Sequence, residues 1–161
     1  MSSPSSARPW LALLGFLLLS VVVSALGGGV TADSVKTWFP TLVKPAWNPP
    51  SAVFAPVWTL LYATMAVAAW RIWCRRDRPN AGWVLWLYGV QLVLNAAWSL
   101  LFFGLKNPAF ALVDIVALLG VLLWLQFAFW RLDRVAGMLW LPYVLWVSFA
   151  TALNTAIWRL N

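Results

Sequence analysis

Residues 44–62 read KPAWNPPSAVFAPVWTLLY, and this stretch decides how the rest of the chain is organised. Proline fixes φ and has no backbone N–H, so the three prolines before Ser51 predict a stiff, non-helical segment. Pro56 falls in the first turns of a helix, where a missing N–H is tolerated. Trp58 and Tyr62, four residues apart, lie on one face of that helix. The stretch therefore predicts a rigid lid that leads into an apolar helix with an aromatic face.

The composition is that of an integral membrane protein. Hydrophobic residues make up 63% of the chain and charged residues only 9%, which is too little polar cover for a soluble surface. Four uncharged runs each exceed the roughly 20 residues that span a hydrocarbon core, and a fifth is interrupted only by Asp114. The predicted fold class is an all-α integral membrane bundle of five transmembrane helices. We expect one domain over residues 1–161, with a lid loop at 31–50 and helices at about 10–30, 51–73, 82–104, 108–130 and 135–158.

The first apolar run has an alternative interpretation as a cleaved signal peptide, because Arg8 precedes it and Val-Ser-Ala at 23–25 suits a peptidase. Its uncharged length argues against this, since the apolar core of a signal peptide is about 7 to 15 residues long. We expect a retained first helix, preceded by disordered residues 1–9 that are rich in Ser and Pro.

The charged and reactive residues restrict the possible functions. One cysteine and no histidine exclude an internal disulfide, imidazole metal sites and histidine-based hydrolysis. The net charge of +7 does not indicate nucleic-acid binding, because the basic residues sit at helix ends. Seven of the eleven basic residues fall on the side of residue 1, which predicts that this side is cytoplasmic and that the lid faces outward. Residues 74–78, Cys-Arg-Arg-Asp-Arg, are interpreted as a solvated anchor at the lipid headgroups.

The third predicted helix carries a polar and aromatic stripe formed by Gln91, Asn95, Trp98 and Phe102. Amide side chains inside a membrane are costly unless they are hydrogen-bonded, so the stripe should face the bundle interior or a cavity. Two interpretations stay open for Asn95: a hydrogen bond that only holds helices together, or the wall of a pocket.

The fifth predicted helix places Trp146, Ala150 and Asn154 on one face, with a small residue between an aromatic ring and an amide. Such a face suits a flat ligand. Most of the fourteen tryptophans lie near predicted helix ends, where an interfacial belt explains them. Trp58, Trp98 and Trp146 lie on the faces described above, and we assign these three to a pocket.

Helix one carries small residues at every fourth position, namely Ser20, Ser24, Gly28 and Ala32. Such a ladder lets another helix approach closely in lipid. Packing within the bundle is the favoured interpretation, and a dimer seam is the alternative. The three consecutive glycines at 27–29 are expected to loosen the end of this helix.

Asp114 is the only acidic residue inside a hydrophobic run. A carboxylate there should be neutral, paired or hydrated. We favour structural pairing, with Lys106 or with a polar group on a neighbouring helix, over a proton relay.

A series of different short motifs and single residues follows in order along the chain, from the lid to the last helix. They are Trp-Phe at 38–39, KPAWNPP at 44–50, Phe54, PVWT at 56–59, Leu-Tyr at 61–62, QLVLN at 91–95, Trp98, FFG at 102–104, Asp114, PYVLW at 142–146 and Leu-Asn at 153–154. These motifs resemble the translocator protein family, also called TSPO/MBR, which includes tryptophan-rich sensory proteins and peripheral benzodiazepine receptors. The resemblance covers essentially the whole chain and is to the bacterial members.

The resemblance implies a five-helix homodimer in the cell membrane of a bacterium, with a pocket closed by the first loop. It implies a receptor or sensor-type protein that binds protoporphyrin IX, haem-related tetrapyrroles and other flat hydrophobic ligands, with a role in porphyrin transport or regulation. Porphyrin is then a ligand, and neither a cofactor nor a metal is expected. Matching residue by residue, the implied ligand-binding set is Trp47, Pro49, Trp58, Tyr62, Asn95, Trp98, Trp146 and Ala150.

The chemistry of a porphyrin gives this pocket further expected contacts. Indole rings stack on a flat macrocycle, while Asn95 and Trp N–H groups orient its polar edges. Its carboxylates are expected to meet Lys36, Lys44 or backbone donors. Sterol binding is doubtful, because the family's sterol motif needs a tyrosine between Leu153 and Arg159 and the chain has none there.

Two other functions stay open. One is a light- and oxygen-dependent porphyrin-degrading enzyme in which Trp58 and Trp146 are catalytic, as is described for some bacterial members. The other is a small membrane scaffold without a ligand, whose aromatic residues form only belt and core. Acid–base hydrolysis ranks last, since the chain has neither a histidine nor a pair of buried carboxylates.

Overall fold

Five long helices form the bundle in the structure, a computed structural model that describes residues 8–161. They are α1 (Pro9–Thr37), α2 (Phe54–Trp73), α3 (Ala81–Ser99), α4 (Pro108–Leu132) and α5 (Arg134–Leu160). A π-helical turn, Leu100–Gly104, extends α3, and short 3-10 turns at Phe39–Thr41 and Ser51–Val53 lie between α1 and α2. All five helices are long and apolar enough to cross a membrane, which confirms the predicted all-α membrane bundle.

Helix α1 extends further than predicted and ends at Thr37. The glycines at 27–29 do not end it, and the turns that follow contact the π-helical turn. The Thr31 hydroxyl donates to the Gly27 carbonyl at 2.6 Å, and the Ser34 hydroxyl donates to the Phe103 carbonyl at 2.7 Å. The lid therefore comprises residues 38–50 instead of 31–50. The disorder expected before α1 concerns residues 1–7, which lie outside the described part of the chain, whereas Pro9 begins the helix.

Helix α1 changes neighbours along its length. Near its start, the Pro9 carbonyl accepts a hydrogen bond of 2.8 Å from Trp70 Nε1 on α2. Near its end it contacts α3 and the π-helical turn instead, where a Cβ on Gly27 would lie 3.3 Å from Ser99 Oγ. A Cβ on Gly104 would lie 2.9 Å from the Val30 side chain, so glycine permits this approach. Helices α1 and α2 therefore separate toward the lid.

Helices α4 and α5 pack closely because of one glycine. A Cβ on Gly137 would lie 2.7 Å from Trp130 Cε3 and 3.0 Å from Trp130 Cα, so any larger residue would push α5 away from α4. Farther along α5, Trp140 is fully buried and donates its indole N–H to the Leu122 carbonyl at 3.3 Å. Its ring meets Tyr143 edge-on with centroids 5.3 Å apart. This contact fixes the face of α5 that carries Trp146.

Asp133, between α4 and α5, joins three helices at the end of the bundle opposite the lid. Its carboxylate caps α5 by accepting from the Val135 N–H at 2.8 Å and the Ala136 N–H at 3.2 Å. It also pairs with Arg71, whose Nε lies 2.9 Å from Oδ2, and with Arg75. Burial alone raises the pKa of Asp133, but hydrogen bonds from Arg71 and from the two backbone N–H groups outweigh it and hold the pKa below its ordinary value.

Four of the five residues in the basic cluster at 74–78 are exposed, as in the solvated anchor that the sequence indicates, but two of its arginines also contact other helices. Arg75 pairs with Asp133, and Arg78 donates to the Leu132 carbonyl at 2.9 Å. The remaining guanidinium, that of Arg76, stacks over Trp73 at 4.0 Å from the ring centroid. Two of the three arginines thus tie α2 to the α4–α5 corner, because carbonyl and carboxylate acceptors lie within their reach.

The lid folds around its own lysine. Lys44 Nζ donates to the Leu42 carbonyl at 2.7 Å and to the Phe39 carbonyl at 2.9 Å, and it lies 5.1 Å from the centroid of the Phe39 ring. The amide side chain of Asn161 then pairs with the backbone of Val43, donating to its carbonyl and accepting from its N–H at 3.0 Å each. The lid is therefore held both internally and to the end of α5.

Candidate ligand-binding cavity

A cavity of about 450 Å³ lies between α1, α2, α3 and α5 at the lid end of the bundle. Its volume falls in the range of about 300–1,000 Å³ that is typical of small-molecule sites. The exposed residues of its lining belong to α1, to the start of α2 and to the 3-10 turn before α2, and they include Ala32, Lys36, Ala55 and Thr59. The cavity therefore opens between α1 and α2, where these two helices separate.

Six of the eight residues predicted to bind ligand line this one cavity: Trp58, Tyr62, Asn95, Trp98, Trp146 and Ala150. The other two do not line it. Trp47 is half exposed and packs edge-on against Phe149, a cavity residue, with ring centroids 5.7 Å apart. Pro49 lines a separate groove on the lid beside Lys44 and Asn48. A ligand contact for Trp47 and Pro49 remains a prediction, as does ligand binding by the other six.

Aromatic rings form most of the cavity walls. Trp58 lies against Tyr62 with centroids 5.6 Å apart, and Trp98 stacks on Phe102 at 5.3 Å. On α5, the ring of Trp146 is 5.9 Å from the ring of Phe54. Rings from three helices thus present flat, apolar surface to the same space.

A buried chain of hydrogen bonds closes the inner end of the cavity. Tyr62 OH donates to Asn95 Oδ1 at 2.6 Å, and Asn95 Nδ2 donates to Tyr143 OH at 2.9 Å. The Tyr143 hydroxyl in turn donates to Gln91 Oε1 at 3.0 Å. The chain joins α2, α3 and α5, so Asn95 both holds the helices together and lines the cavity, as the two interpretations of the sequence proposed separately.

The indole N–H groups of the cavity divide into committed and free donors. Trp98 Nε1 donates to Asn154 Oδ1 at 3.0 Å, and Asn154 Nδ2 donates to the Pro108 carbonyl at 2.8 Å. Within residues 8–161, the N–H groups of Trp58 and Trp146 donate to no protein atom. The expectation that Asn95 and Trp N–H groups orient a ligand stays a prediction: the Trp98 N–H and one N–H of Asn95 have protein partners, whereas the N–H groups of Trp58 and Trp146 are free in the described part of the chain.

The contribution of α1 to the cavity was not assigned from the sequence. Ser24, Gly28 and Ala32 of the small-residue ladder line the cavity, whereas Ser20 is buried outside it. A Cβ on Gly28 would meet no atom within 4 Å, so this glycine borders open space and does not support a helix contact. The four-residue spacing of small residues was visible in the sequence. That spacing alone does not show whether a neighbouring helix or a ligand occupies the space beside them.

Both Phe102 and Phe103 line the cavity, and both belong to the π-helical turn. Its signature is the Leu105 N–H, which donates to the Leu100 carbonyl at 2.7 Å, five residues earlier. Consecutive residues of an α-helix project about 100° apart, so the regular stripe predicted only Phe102. Such turns are frequent at functional sites.

Asp114 does not form the predicted pair. In the described part of the chain, its Oδ2 is buried without a hydrogen-bond partner, and Asp133 is the only acidic residue in an ion pair. Lys106 is exposed and adopts a positive φ of 53° after the π-helical turn. Asp114 also does not line the cavity, so no role in ligand binding is assigned to it.

The fold and the site define a five-span membrane protein with an aromatic cavity beneath a fastened lid. A sequence model of the TspO/MBR family matches residues 16–159. The chain is 40% identical over 147 residues to the tryptophan-rich protein TspO of Chlorobaculum tepidum, covering 89% of this chain and 91% of that protein. It is 38% identical over 161 residues to the translocator protein of Sus scrofa (96% and 93% covered), and 36% identical over 152 residues to the tryptophan-rich sensory protein of Cereibacter sphaeroides (94% and 92%). The chain belongs to the TspO/MBR family.

Proposed function

We propose that this protein is a membrane sensor or translocator that binds tetrapyrroles, such as protoporphyrin IX and haem-related pigments, and other flat hydrophobic ligands in the aromatic cavity. Its role is in porphyrin transport or regulation. The names of the pig translocator protein and of the Cereibacter sensory protein support the general role. The observation that carries the proposal is the cavity itself, where Trp58, Trp98 and Trp146 face one space beneath the lid.

The walls of the cavity fit a planar aromatic ligand. A macrocycle stacks over a large area on indole and phenyl rings, and the ring pairs at Trp58 and Trp98 supply such faces. The free N–H groups of Trp58 and Trp146 can then donate to polar atoms at the ligand's edge. The opening between α1 and α2 accommodates the part of a macrocycle that extends beyond the cavity.

The membrane and the assembly state belong to the same proposal. We place the protein in the cell membrane of a bacterium, which the two bacterial relatives support. We also propose a homodimer, which rests on the family resemblance alone.

Porphyrin binding should appear as saturable quenching of tryptophan fluorescence when protoporphyrin IX is titrated into the purified protein. In the double variant Trp58→Phe, Trp146→Phe we expect about tenfold weaker binding, because indole area and two donors are lost. The matched control is Trp83→Phe, Trp86→Phe, which also removes two indoles. These two rings stack on each other at 4.6 Å, and both are more than half exposed on α3 away from the cavity. Absence of saturable quenching, or equal weakening in both double variants, would contradict the proposal and favour the scaffold alternative.

Light- and oxygen-dependent degradation of porphyrin is a second candidate, favoured by the position of both Trp58 and Trp146 in the cavity lining. If it operates, illumination under oxygen should convert bound protoporphyrin IX into a new tetrapyrrole product faster than the free pigment bleaches. The rate should fall in the Trp58→Phe, Trp146→Phe variant at saturating porphyrin, and it should not change in the Trp83, Trp86 control. Bleaching at the rate of the free pigment would exclude this activity.

A further inference from the structure

One charged side chain stands at the cavity. Among residues 8–161, Lys36 is the only charged residue that lines it, and no carboxylate lines it. Lys36 lies on the last turns of α1, at the opening toward α2, and is exposed. In the described part of the chain its ammonium forms neither a hydrogen bond nor an ion pair. The opening therefore carries a positive charge, and no carboxylate in the described part of the chain forms an ion pair with it.

The surrounding charged groups leave Lys36 available. The sequence offered Lys36 and Lys44 equally, but the Lys44 ammonium is occupied by three lid carbonyls, those of Phe39, Leu42 and Pro40. Asp33, one turn before Lys36 on α1, does not pair with the lysine, and the Thr37 hydroxyl donates to the Asp33 backbone carbonyl at 2.9 Å. Lys36 is thus the cation that a ligand in the cavity would meet.

Three polar side chains deep in the cavity already have hydrogen-bond partners in the protein. Asn95 and Tyr62 are hydrogen-bonded to each other, and Asn154 accepts from Trp98, so these side chains already have protein partners. The aromatic rings of the inner space suit the apolar body of a ligand. A charged group is better placed at the opening, where water and the Lys36 ammonium both reach it.

We propose that Lys36 is a specificity-determining residue that selects ligands carrying a carboxylate at one edge of a flat apolar body. The carboxylate pairs with the Lys36 ammonium at the opening between α1 and α2, while the body stacks among Trp58, Trp98 and Trp146. This inference rests on the proposed function and adds the chemical class of ligand that the same cavity prefers.

The test compares two probes that share one ring system, protoporphyrin IX, with two carboxylates, and its dimethyl ester, with none. Both are titrated in the same nonionic detergent, and the ratio of the two Kd values is compared between variants, so that partitioning into micelles cancels. Relative to the ratio in Lys36→Met, the wild-type ratio should favour the free acid by about three- to tenfold, the range between an exposed and a partly desolvated ion pair. The preference should weaken as salt rises, because exposed charges are screened.

Three substitutions at Lys36 and one control define the outcome. Lys36→Met should shift the ratio toward the ester, Lys36→Arg should keep the wild-type ratio, and Lys36→Glu should shift it further toward the ester than Lys36→Met does. The control is Lys106→Met, which removes one exposed positive charge at the same end of the bundle from a residue that does not line the cavity. The control should keep the wild-type ratio. Size-exclusion profiles check that each variant is folded, and the retained preference in Lys36→Arg keeps the test decisive.

The possible failures are distinguishable. If neither probe binds saturably to the wild-type protein, the proposed function fails. If both probes bind and Lys36→Met leaves their ratio unchanged, the role of Lys36 is wrong while the proposed function stands. An equal loss in Lys106→Met would mean that only the general surface charge matters, which also overturns the proposal for Lys36.

Discussion

Gly28→Phe should block the cavity and lower the affinity for protoporphyrin IX by about a hundredfold. Gly28 lines the cavity from α1, and a Cβ there would meet no atom within 4 Å, so the new ring extends into the space where the ligand would stack. Displacing roughly 120 Å² of apolar ligand contact, at about 25 cal/mol per Å², costs about 3 kcal/mol, which is about a hundredfold in Kd. Fluorescence quenching in detergent measures the change.

The neighbouring glycine supplies a matched control. Gly29→Phe makes the same substitution one position along α1, where a Cβ also meets no atom within 4 Å, but Gly29 does not line the cavity. Both variants change helix propensity alike, so a difference between them reports on the cavity. Affinity within about threefold of wild type is expected for Gly29→Phe. Equal affinities in the two variants would show that the ligand does not occupy this space.

The sequence predicted that α1 exists but not where it ends. The existence of this span followed from its length and lack of charge, because the bilayer thickness sets both. Its end at Thr37 did not follow, since the turns past the glycines are held by contacts such as the bond from the Ser34 hydroxyl to the Phe103 carbonyl, which depends on the position of another helix. A run of glycines is locally a helix breaker, and only tertiary contacts overrule it.

For the site, the sequence predicted which helix faces meet but not which polar atoms pair. Helical spacing placed Trp58 with Tyr62, and Trp146 with Ala150, and the structure brings these pairs to one cavity. Spacing gives the face of a helix but not the partners of its polar atoms. Trp98 donates its N–H to Asn154. This contact joins α3 and α5, so it depends on how the helices pack.

Lys36 and Lys44 also could not be distinguished from the sequence. Lys36 and Lys44 look equivalent in the sequence, yet the lid wraps its carbonyls around the Lys44 ammonium and leaves Lys36 at the opening. Loop conformation decides between them, and the positions of backbone carbonyls in an irregular loop cannot be obtained from residue types. The prolines at 49 and 50 indicated stiffness without fixing the shape.

Asp133→Ala should lower the free energy of unfolding by about 2–3 kcal/mol, the largest loss of stability that we expect from one substitution. The loss combines the helix cap of α5, worth about 1 kcal/mol, with charge-assisted hydrogen bonds worth about 1.5–3 kcal/mol. We take a total below the upper limits, because Arg71 and Arg75 remain 28% and 33% exposed while the carboxylate is only 3% exposed. Thermal or denaturant unfolding in detergent measures it. The control is Asp77→Ala, an exposed acid in the neighbouring basic cluster, which should change stability by less than about 0.5 kcal/mol.

The pH dependence of the free energy of unfolding separates the contribution of the Asp133 charge from the contribution of its shape. Because the pKa of Asp133 is lower in the folded protein than in the unfolded chain, its charge stabilises the fold fully above the ordinary aspartate value of about 3.9. That contribution is lost as the pH falls from there through the lowered pKa, as the carboxylate takes up a proton and its pairing with Arg71 and Arg75 weakens. Asp133→Asn keeps the shape and an acceptor for the cap but has no charge to lose. The wild type should therefore exceed Asp133→Asn in stability at pH 7, and the difference should shrink toward zero as the pH is lowered below about 4. A difference that stays constant with pH would show that the carboxylate contributes no charge-dependent stability at this corner.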